Sequence, residues 1–269
     1  MTITLGSRAA AAGYKLAAFD KTGSTNSEAM QRAREGERGP AWFVTTEQTA
    51  GRGRRQRSWI APRGNLASSI LEVMDVTPAV AATLGFAAGL SLEAAVRSVS
   101  VEAALRAGGA DPFKFALKWP NDVLAGRQKL TGILLEAEAV PAGLAVVVGI
   151  GTNVIAAPEG MPTPATSLNA LGIQISAEEL FLALSDAWVG FRGIWDRGRG
   201  FGEIRRLWLE RAAGLGEKVA IGMGATNIEG IFETIDEAGC LIVRTAEGRR
   251  VAVAAGEVYF GSAASVRAS

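Results

Sequence analysis

At Gly214 the pattern of this chain changes, and that change limits its architecture more than any other single feature. Beyond it come short strand-like runs at 218–221, 228–235, 241–245, 249–253 and 258–260, separated by Gly, Asn and Asp. Short, closely spaced strands with turn residues between them build a small β-barrel of about 50 residues. Before Gly214, strand-like runs (14–19, 41–46, 65–73, 113–119) alternate with helical ones. Thr25 and Glu28 have capping-box spacing and open a helix. The alanine-rich stretch 78–106 reads as one or two helices ending at Gly108-Gly109, and 177–197 and 202–213 as two more. Runs 130–138 and 144–150 flank Pro141–Gly143 as an antiparallel pair, Pro120-Asn121-Asp122 turns the chain, and 161–164 is a loop. The expected fold is α/β (α+β): a mixed sheet flanked by helices over residues 1–213, then the barrel over 214–269. A chain of 269 residues can bury a core of that size.

Composition removes several kinds of chemistry. There is no histidine and one cysteine, Cys240, so no catalytic unit needs His, no disulfide closes within the chain, and no Cys/His zinc site forms. Cys240 precedes Leu-Ile-Val and reads as a packed thiol. Net charge +1 makes no global case for nucleic acid or a membrane surface. No apolar run is expected to reach membrane-spanning length, and residues 1–13 lack a secretory core; a cytoplasmic location is expected. Chemistry must come from Lys, Arg, Asp, Glu, backbone amides and any bound metal.

Four segments can supply it. Gly51-Arg52-Gly53-Arg54-Arg55-Gln56-Arg57, followed by Trp59, sets four arginines among two glycines. Glycine permits close backbone approach and guanidinium forks suit phosphate or carboxylate, though a solvated basic loop or nucleic-acid patch has the same composition. No Gly-Lys-Ser/Thr follows, so it is not a Walker A loop. Lys118 and Lys129 flank a turn carrying Asn121 and Asp122; the lysines can neutralise phosphates and Asp122 can hold Mg²⁺, or all four are ordinary turn and surface residues. Gly149, Gly151 and Asn153 end a Val-rich run, where spaced glycines admit a ligand or make a tight turn. Ser24, Thr25 and Asn26 cap a helix or offer hydroxyl and amide groups to a ligand.

In this order the segments GSTN, EQTAGRGRRQRSW, KWPNDVL, KLTGILLE and VGIGTNV, with a C-terminal GEVYF, resemble the biotin–protein ligase family over most of residues 14–262. The resemblance implies a catalytic domain, an SH3-like C-terminal barrel, and a ligase that activates biotin with Mg·ATP as biotinyl-AMP before passing it to a lysine of a biotin carboxyl carrier protein. It implies Ser24, Thr25, Asn26, Gln48, Gly51, Arg52, Lys129, Gly132, Gly149 and Gly151 for biotin. For ATP it implies Arg52, Arg54, Arg55, Lys118, Asn121, Asp122 and Asn153, the last on the phosphate side. Lys129, Arg54, Lys118 and Asp122 would carry catalysis, Asp122 would hold Mg²⁺, and Trp59 would support the loop.

Two positions depart from the family pattern. Gln56 stands where the loop usually has Gly, and Tyr259-Phe260-Gly261 stands where some members carry an Arg that meets nucleotide. The chain starts almost at the first segment, so no helix-turn-helix and no sequence-specific DNA binding are expected, nor any membrane partner; a homodimer is compatible with the family. A lipoate or octanoate ligase or transferase of the same superfamily is the near alternative, and a non-catalytic RNA-binding module the distant one.

Overall fold

A computed structural model describes residues 2–109, 113–160, 164–223 and 226–261. In chain order its elements are α1 (Ser7–Ala11), β1 (Lys15–Phe19), α2 (Thr25–Arg34), β2 (Ala41–Thr45), β3 (Leu66–Met74), α3 (Pro78–Ala82), α4 (Leu84–Arg106), β4 (Phe115–Lys118), β5 (Asp122–Ala125), β6 (Gln128–Val140), β7 (Gly143–Thr152), α5 (Ala177–Trp195), α6 (Phe201–Leu209), β8 (Lys218–Met223), β9 (Thr226–Ile235), β10 (Leu241–Arg244), β11 (Arg250–Val253) and β12 (Glu257–Phe260).

The first seven strands form one mixed sheet in the order β1-β2-β3-β7-β6-β5-β4. β1 and β2 pair in parallel across the α2 connection, and every other neighbour is antiparallel. The expected hairpin is β6–β7, closing at Val140 opposite Gly143. Strand alternation divides the side chains between two cores. Trp42, Val44, Ile70, Val146, Val148 and Ile150 face α4 and α5; Ala41, Phe43, Leu71, Ala145 and Val147 face α2. On the larger side Trp42 meets Phe181 and Trp188 of α5 edge-on, at 5.4 and 6.1 Å. Each fully buried Leu or Trp there contributes about 1.5–3 kcal/mol of transfer free energy.

Several expectations need correction. The stretch 78–106 is long and apolar enough to span a membrane (29 residues, mean hydropathy 1.6), against expectation, but its most apolar window is 72% buried inside the protein, as a core helix is. It is two helices that meet at Thr83, whose hydroxyl donates to Val80 O (2.7 Å) and accepts from Trp195 Nε1 (2.8 Å). No capping box forms at Thr25–Glu28: Ser24 is the N-cap and Glu28 instead accepts from Thr22 Oγ1 (2.7 Å). A capping box does form between Ser176 and Glu179, at the start of α5. That helix stops at Trp195, two residues before the expected end, where Asp196 and Arg197 take positive φ. β5 had no expectation of its own; its four residues follow the 120–122 turn too closely to show a pattern. Residues 161–163 of the expected loop lie outside the described residues.

After Gly214 all five expected strands are present, in the antiparallel order β11-β10-β9-β8-β12. Val219, Ile221, Phe232, Leu241 and Val243 fill their inner side and join the main core.

Candidate active site

The site begins with the face of the sheet that α2 covers. Ala145 and Val147 of β7 pack under α2, and the same face continues to Gly149 and Gly151. Their neighbours in register are Ser69 and Ala67 on β3, and Leu134 and Gly132 on β6. Small residues therefore lower the floor where α2 begins. Neither Gly149 nor Gly151 has positive φ, so space rather than backbone conformation demands glycine: a Cβ on Gly149 would lie 2.1 Å from Asn26 Oδ1, and one on Gly151 2.5 Å from the Trp59 indole.

Over this floor is a small cavity lined by Ser24, Thr25, Asn26, Gln48, Arg52, Trp59, Lys129, Gly132, Gly149 and Gly151, with Ser68 and Ile150 among the others. Its polar groups hold one another. Gln48 Oε1 accepts the Thr25 N–H (2.9 Å) and lies 3.3 Å from the Thr25 hydroxyl, so a side chain from outside the helix satisfies one free amide of its first turn. Ser69 Oγ lies 2.7 Å from Thr25 Oγ1 and 2.6 Å from Asn26 Oδ1. Asn26 Nδ2 donates to Glu136 Oε2 (2.7 Å), which also pairs with Arg52 (2.9 Å). These ties explain the missing capping box: the Thr25 hydroxyl is turned toward Gln48 and Ser69. Gly51 does not line the cavity; it is packed so that a Cβ would meet Gln48 Nε2 and Trp59 O, both at 2.5 Å.

A larger cavity adjoins the first. Gly53, Trp59 and Lys129 line both, and Arg54, Arg55, Lys118, Asn121, Asp122, Asn153, Gly256 and Glu257 line the second. Arg52 borders the small cavity only, held by Glu136. The arginine loop is a narrow hairpin, with Gly53 N–H on Arg57 O (2.7 Å), Trp59 N–H on Gly51 O (2.9 Å), and Arg55 at φ +56° at its tip. Arg54 reaches Asn121 Oδ1 (3.0 Å) and Gly256 O (3.3 Å), and Arg57 pairs with both oxygens of Glu257 (3.3 and 3.1 Å). Asn121 also donates to Ile133 O (2.7 Å), so both ends of its amide are engaged and it acts as the mount for Arg54.

Charge at the junction is strongly positive. Lys129 Nζ lies 2.8 Å from Asp122 Oδ1 and 5.6 Å from the Trp59 ring. That oxygen is buried without an aligned hydrogen bond, so the contact is an ion pair with a lone pair still free. Burial pushes the Lys118 ammonium below the usual lysine range, against the pull of Asp122 and Glu257, and Lys129 and Arg54 push the same way as burial. Arg54 is likewise lowered, by burial first, but a guanidinium stays charged. Asn153 donates through Nδ2 to Thr166 O (3.1 Å), leaving Oδ1 buried and unpartnered. A free acceptor suits a hydroxyl, an amine or a cation, not a phosphate oxygen.

No group of three His, Cys, Asp or Glu side chains able to hold a metal occurs among the described residues. One carboxylate, Asp122, whose Oδ1 has no hydrogen-bond partner, fits an ion that arrives with phosphate oxygens, as Mg²⁺ does with a nucleotide. Glu136, Ser69, Glu257 and Asn65 had no part in the sequence expectation. Glu136 lies seven residues beyond Lys129 on β6, on the face of Gly132 and Leu134, and alternation along that strand is the one signal that points to it.

Residues 19–153 match the profile of the Biotin/lipoate A/B protein ligase family, and residues 214–261 that of the Biotin protein ligase C terminal domain. The biotin–[acetyl-CoA-carboxylase] ligase of Paracoccus denitrificans is 40% identical over 248 residues, covering 90% of this chain and 98% of that one. The enzyme of the same name from Mycobacterium tuberculosis is 34% identical, covering 88% and 86%. Among solved structures, the biotin protein ligase of Aquifex aeolicus in complex with biotin and ATP superposes with a TM-score of 0.73 at 25% identity, covering 92% of this chain and 99% of that one. Two family profiles in the right order, with a shared fold and near full-length relatives, leave one assignment: the chain belongs to the biotin–protein ligase family.

Proposed function

We propose that the chain is an ATP-dependent ligase that makes biotinyl-AMP and passes the biotinyl group to a lysine of a biotin carboxyl carrier protein. The observation that carries this is the meeting of two cavities at Lys129, one floored by glycines with hydroxyl and amide groups at its end, the other lined by cations. The small cavity takes biotin: a ureido ring needs donors and acceptors together, which Ser24, Thr25, Asn26 and Gln48 offer. The larger takes the nucleotide, with Lys118, Arg54 and Arg55 for the phosphates and Asn153 Oδ1 for a ribose hydroxyl or adenine amine. Residues 1–213 form the catalytic domain, and 214–269 a second domain that lends Gly256 and Glu257 to the nucleotide wall.

In the first step a biotin carboxylate oxygen attacks the α-phosphorus and pyrophosphate leaves. In the second the carrier amine attacks the acyl carbon, AMP leaves, and the amine loses a proton. Lys129, held by Asp122, stands where carboxylate and α-phosphate meet and stabilises the charge there. Mg²⁺, entering with ATP against Asp122, would shield the leaving phosphates. The use of ATP supports a cytoplasmic setting. The polar end of the small cavity favours biotin over lipoate or octanoate, whose apolar rings and chains offer nothing for four hydrogen-bonding side chains. An RNA-binding role is disfavoured because Arg52, Arg54 and Arg57 are turned onto Glu136, Asn121 and Glu257.

The test is exchange of labelled pyrophosphate into ATP. Wild type should exchange only with biotin present, and Lys129→Ala should lose on the order of a hundredfold. Exchange with lipoate or octanoate but not biotin would sink the biotin assignment.

A further inference from the structure

We infer that Asn65 is a positioning residue for the nucleotide step, fixing the loop that carries Asn153. Asn65 is the residue before β3 and is 1% exposed. β3 and β7 pair up to Leu66 opposite Thr152, and there the backbone ladder ends. Past that point the Asn65 side chain takes over. Its Oδ1 accepts three successive amides, Val154 (3.0 Å), Ile155 (2.9 Å) and Ala156 (3.3 Å), and its Nδ2 donates to Ala156 O (2.7 Å). One amide group therefore satisfies four backbone groups of one short loop.

From the other side the same loop is held by backbone: Asn153 N–H on Leu130 O (3.0 Å), Leu168 N–H on Asn153 O (3.0 Å) and Asn169 N–H on Val154 O (2.9 Å). Clamped between these, Asn153 lines the larger cavity and carries one buried side-chain atom without a partner, its Oδ1. Asn65 does not line either cavity, so it acts through the loop. The small cavity draws on α2, the floor of β3 and the glycines of β7, none of which Asn65 bonds to. Its removal should therefore weaken nucleotide and spare biotin. The three-amide nest on one oxygen is the dominant tie, since one of its amides is buried, two are part-buried, and all three would be freed together.

This rests on the larger cavity being the nucleotide site. The experiment compares wild type, Asn65→Leu and Asn65→Asp in two assays, biotin binding by titration and the KM for ATP in biotin-dependent pyrophosphate exchange. Asn65→Leu should raise the ATP KM about tenfold or more with biotin affinity within about twofold of wild type. Asn65→Asp keeps the accepting oxygen and should return the ATP KM to within about threefold. An unchanged ATP KM in Asn65→Leu, or equal loss of biotin and ATP binding, overturns the inference; so does an Asp variant no better than Leu. Wild type that shows no biotin-dependent exchange at all would instead overturn the ligase reading. Biotin binding by each variant serves as the check that it has folded.

Discussion

Lys118 shows what the site costs at the scale of one residue. The residue is 7% exposed; its ammonium stands 5.9 Å from the Phe260 ring, and the pull of Asp122 and Glu257 does not offset its burial. Burial lowers its pKa from the usual lysine value. Between the lowered pKa and the free value the unfolded chain binds more protons than the folded one, so stability rises with pH through that window; below it the full penalty remains. Lys118→Met should then be more stable than wild type at pH 7, by about 1 kcal/mol or more, with the gain shrinking as pH approaches 10. It should also bind ATP at least about tenfold less well. Urea melts at pH 7 and pH 9.5 beside an ATP titration decide it; a variant less stable at pH 7 would show that the ammonium makes a net favourable contact. Individual residues like this were legible only as types. Lys118 and Lys129 stand out because they flank a turn, Asp122 because it lies in that turn, and Arg54 because it stands among glycines; their roles come from the family resemblance. Asn65 and Glu257 do not, because their roles depend on what lies opposite them across 90 and 200 positions of chain.

At the scale of the element, β7 explains why two glycines follow four residues of Ala and Val. Alternation sends Ala145, Val147, Gly149 and Gly151 to one face, and the change from Val to Gly along it is the step from core to pocket floor. Gly151→Ala would set a methyl 2.5 Å from the Trp59 indole, and Trp59 is a wall of both cavities. The ring must move, so biotin affinity should fall about tenfold, while the strand itself, at ordinary φ, tolerates alanine and loses no more than about 1 kcal/mol. Thermal melts with and without biotin separate the two effects; a normal biotin-induced shift would mean that Trp59 is free to yield. Most elements were legible from period and punctuation: the β6–β7 hairpin, the long alanine-rich segment and all five C-terminal strands lie where patterns place them. The miss at α2 is instructive. Thr25 and Glu28 have the spacing of a capping box, yet the hydroxyl is claimed by Gln48 and Ser69, since local preference yields when a tertiary partner makes the stronger bond. β5 is four residues long, too short for alternation to register.

At the scale of the whole molecule the arginine loop joins the two sheets. Its base is tied to β6 through Arg52 and Glu136, and its tip to the C-terminal unit through Arg54 on Gly256 O and Arg57 on Glu257. The C-terminal unit is itself fixed to the first by Trp119 Nε1 on Gly239 O (3.1 Å) and Arg205 on Ile235 O (3.0 Å), so it offers the loop a stationary anchor. Gly256 has no room for a side chain, as a Cβ would lie 2.5 Å from Ile221, which keeps its carbonyl close to Arg54. The Arg57 and Glu257 side chains are 61% and 24% exposed, so their pair is a modest, salt-sensitive one. Glu257→Arg should loosen the loop and speed release of biotinyl-AMP by about threefold to fivefold at low salt. The double variant Arg57→Glu with Glu257→Arg restores the pair in reverse and should recover most of that loss, whereas two independent charge defects would add. Release measured by trapping free adenylate, at low and high salt, distinguishes these cases. Additivity of the two substitutions, or a Glu257→Arg effect that persists unchanged in high salt, would show that the C-terminal unit does not hold the loop through this pair.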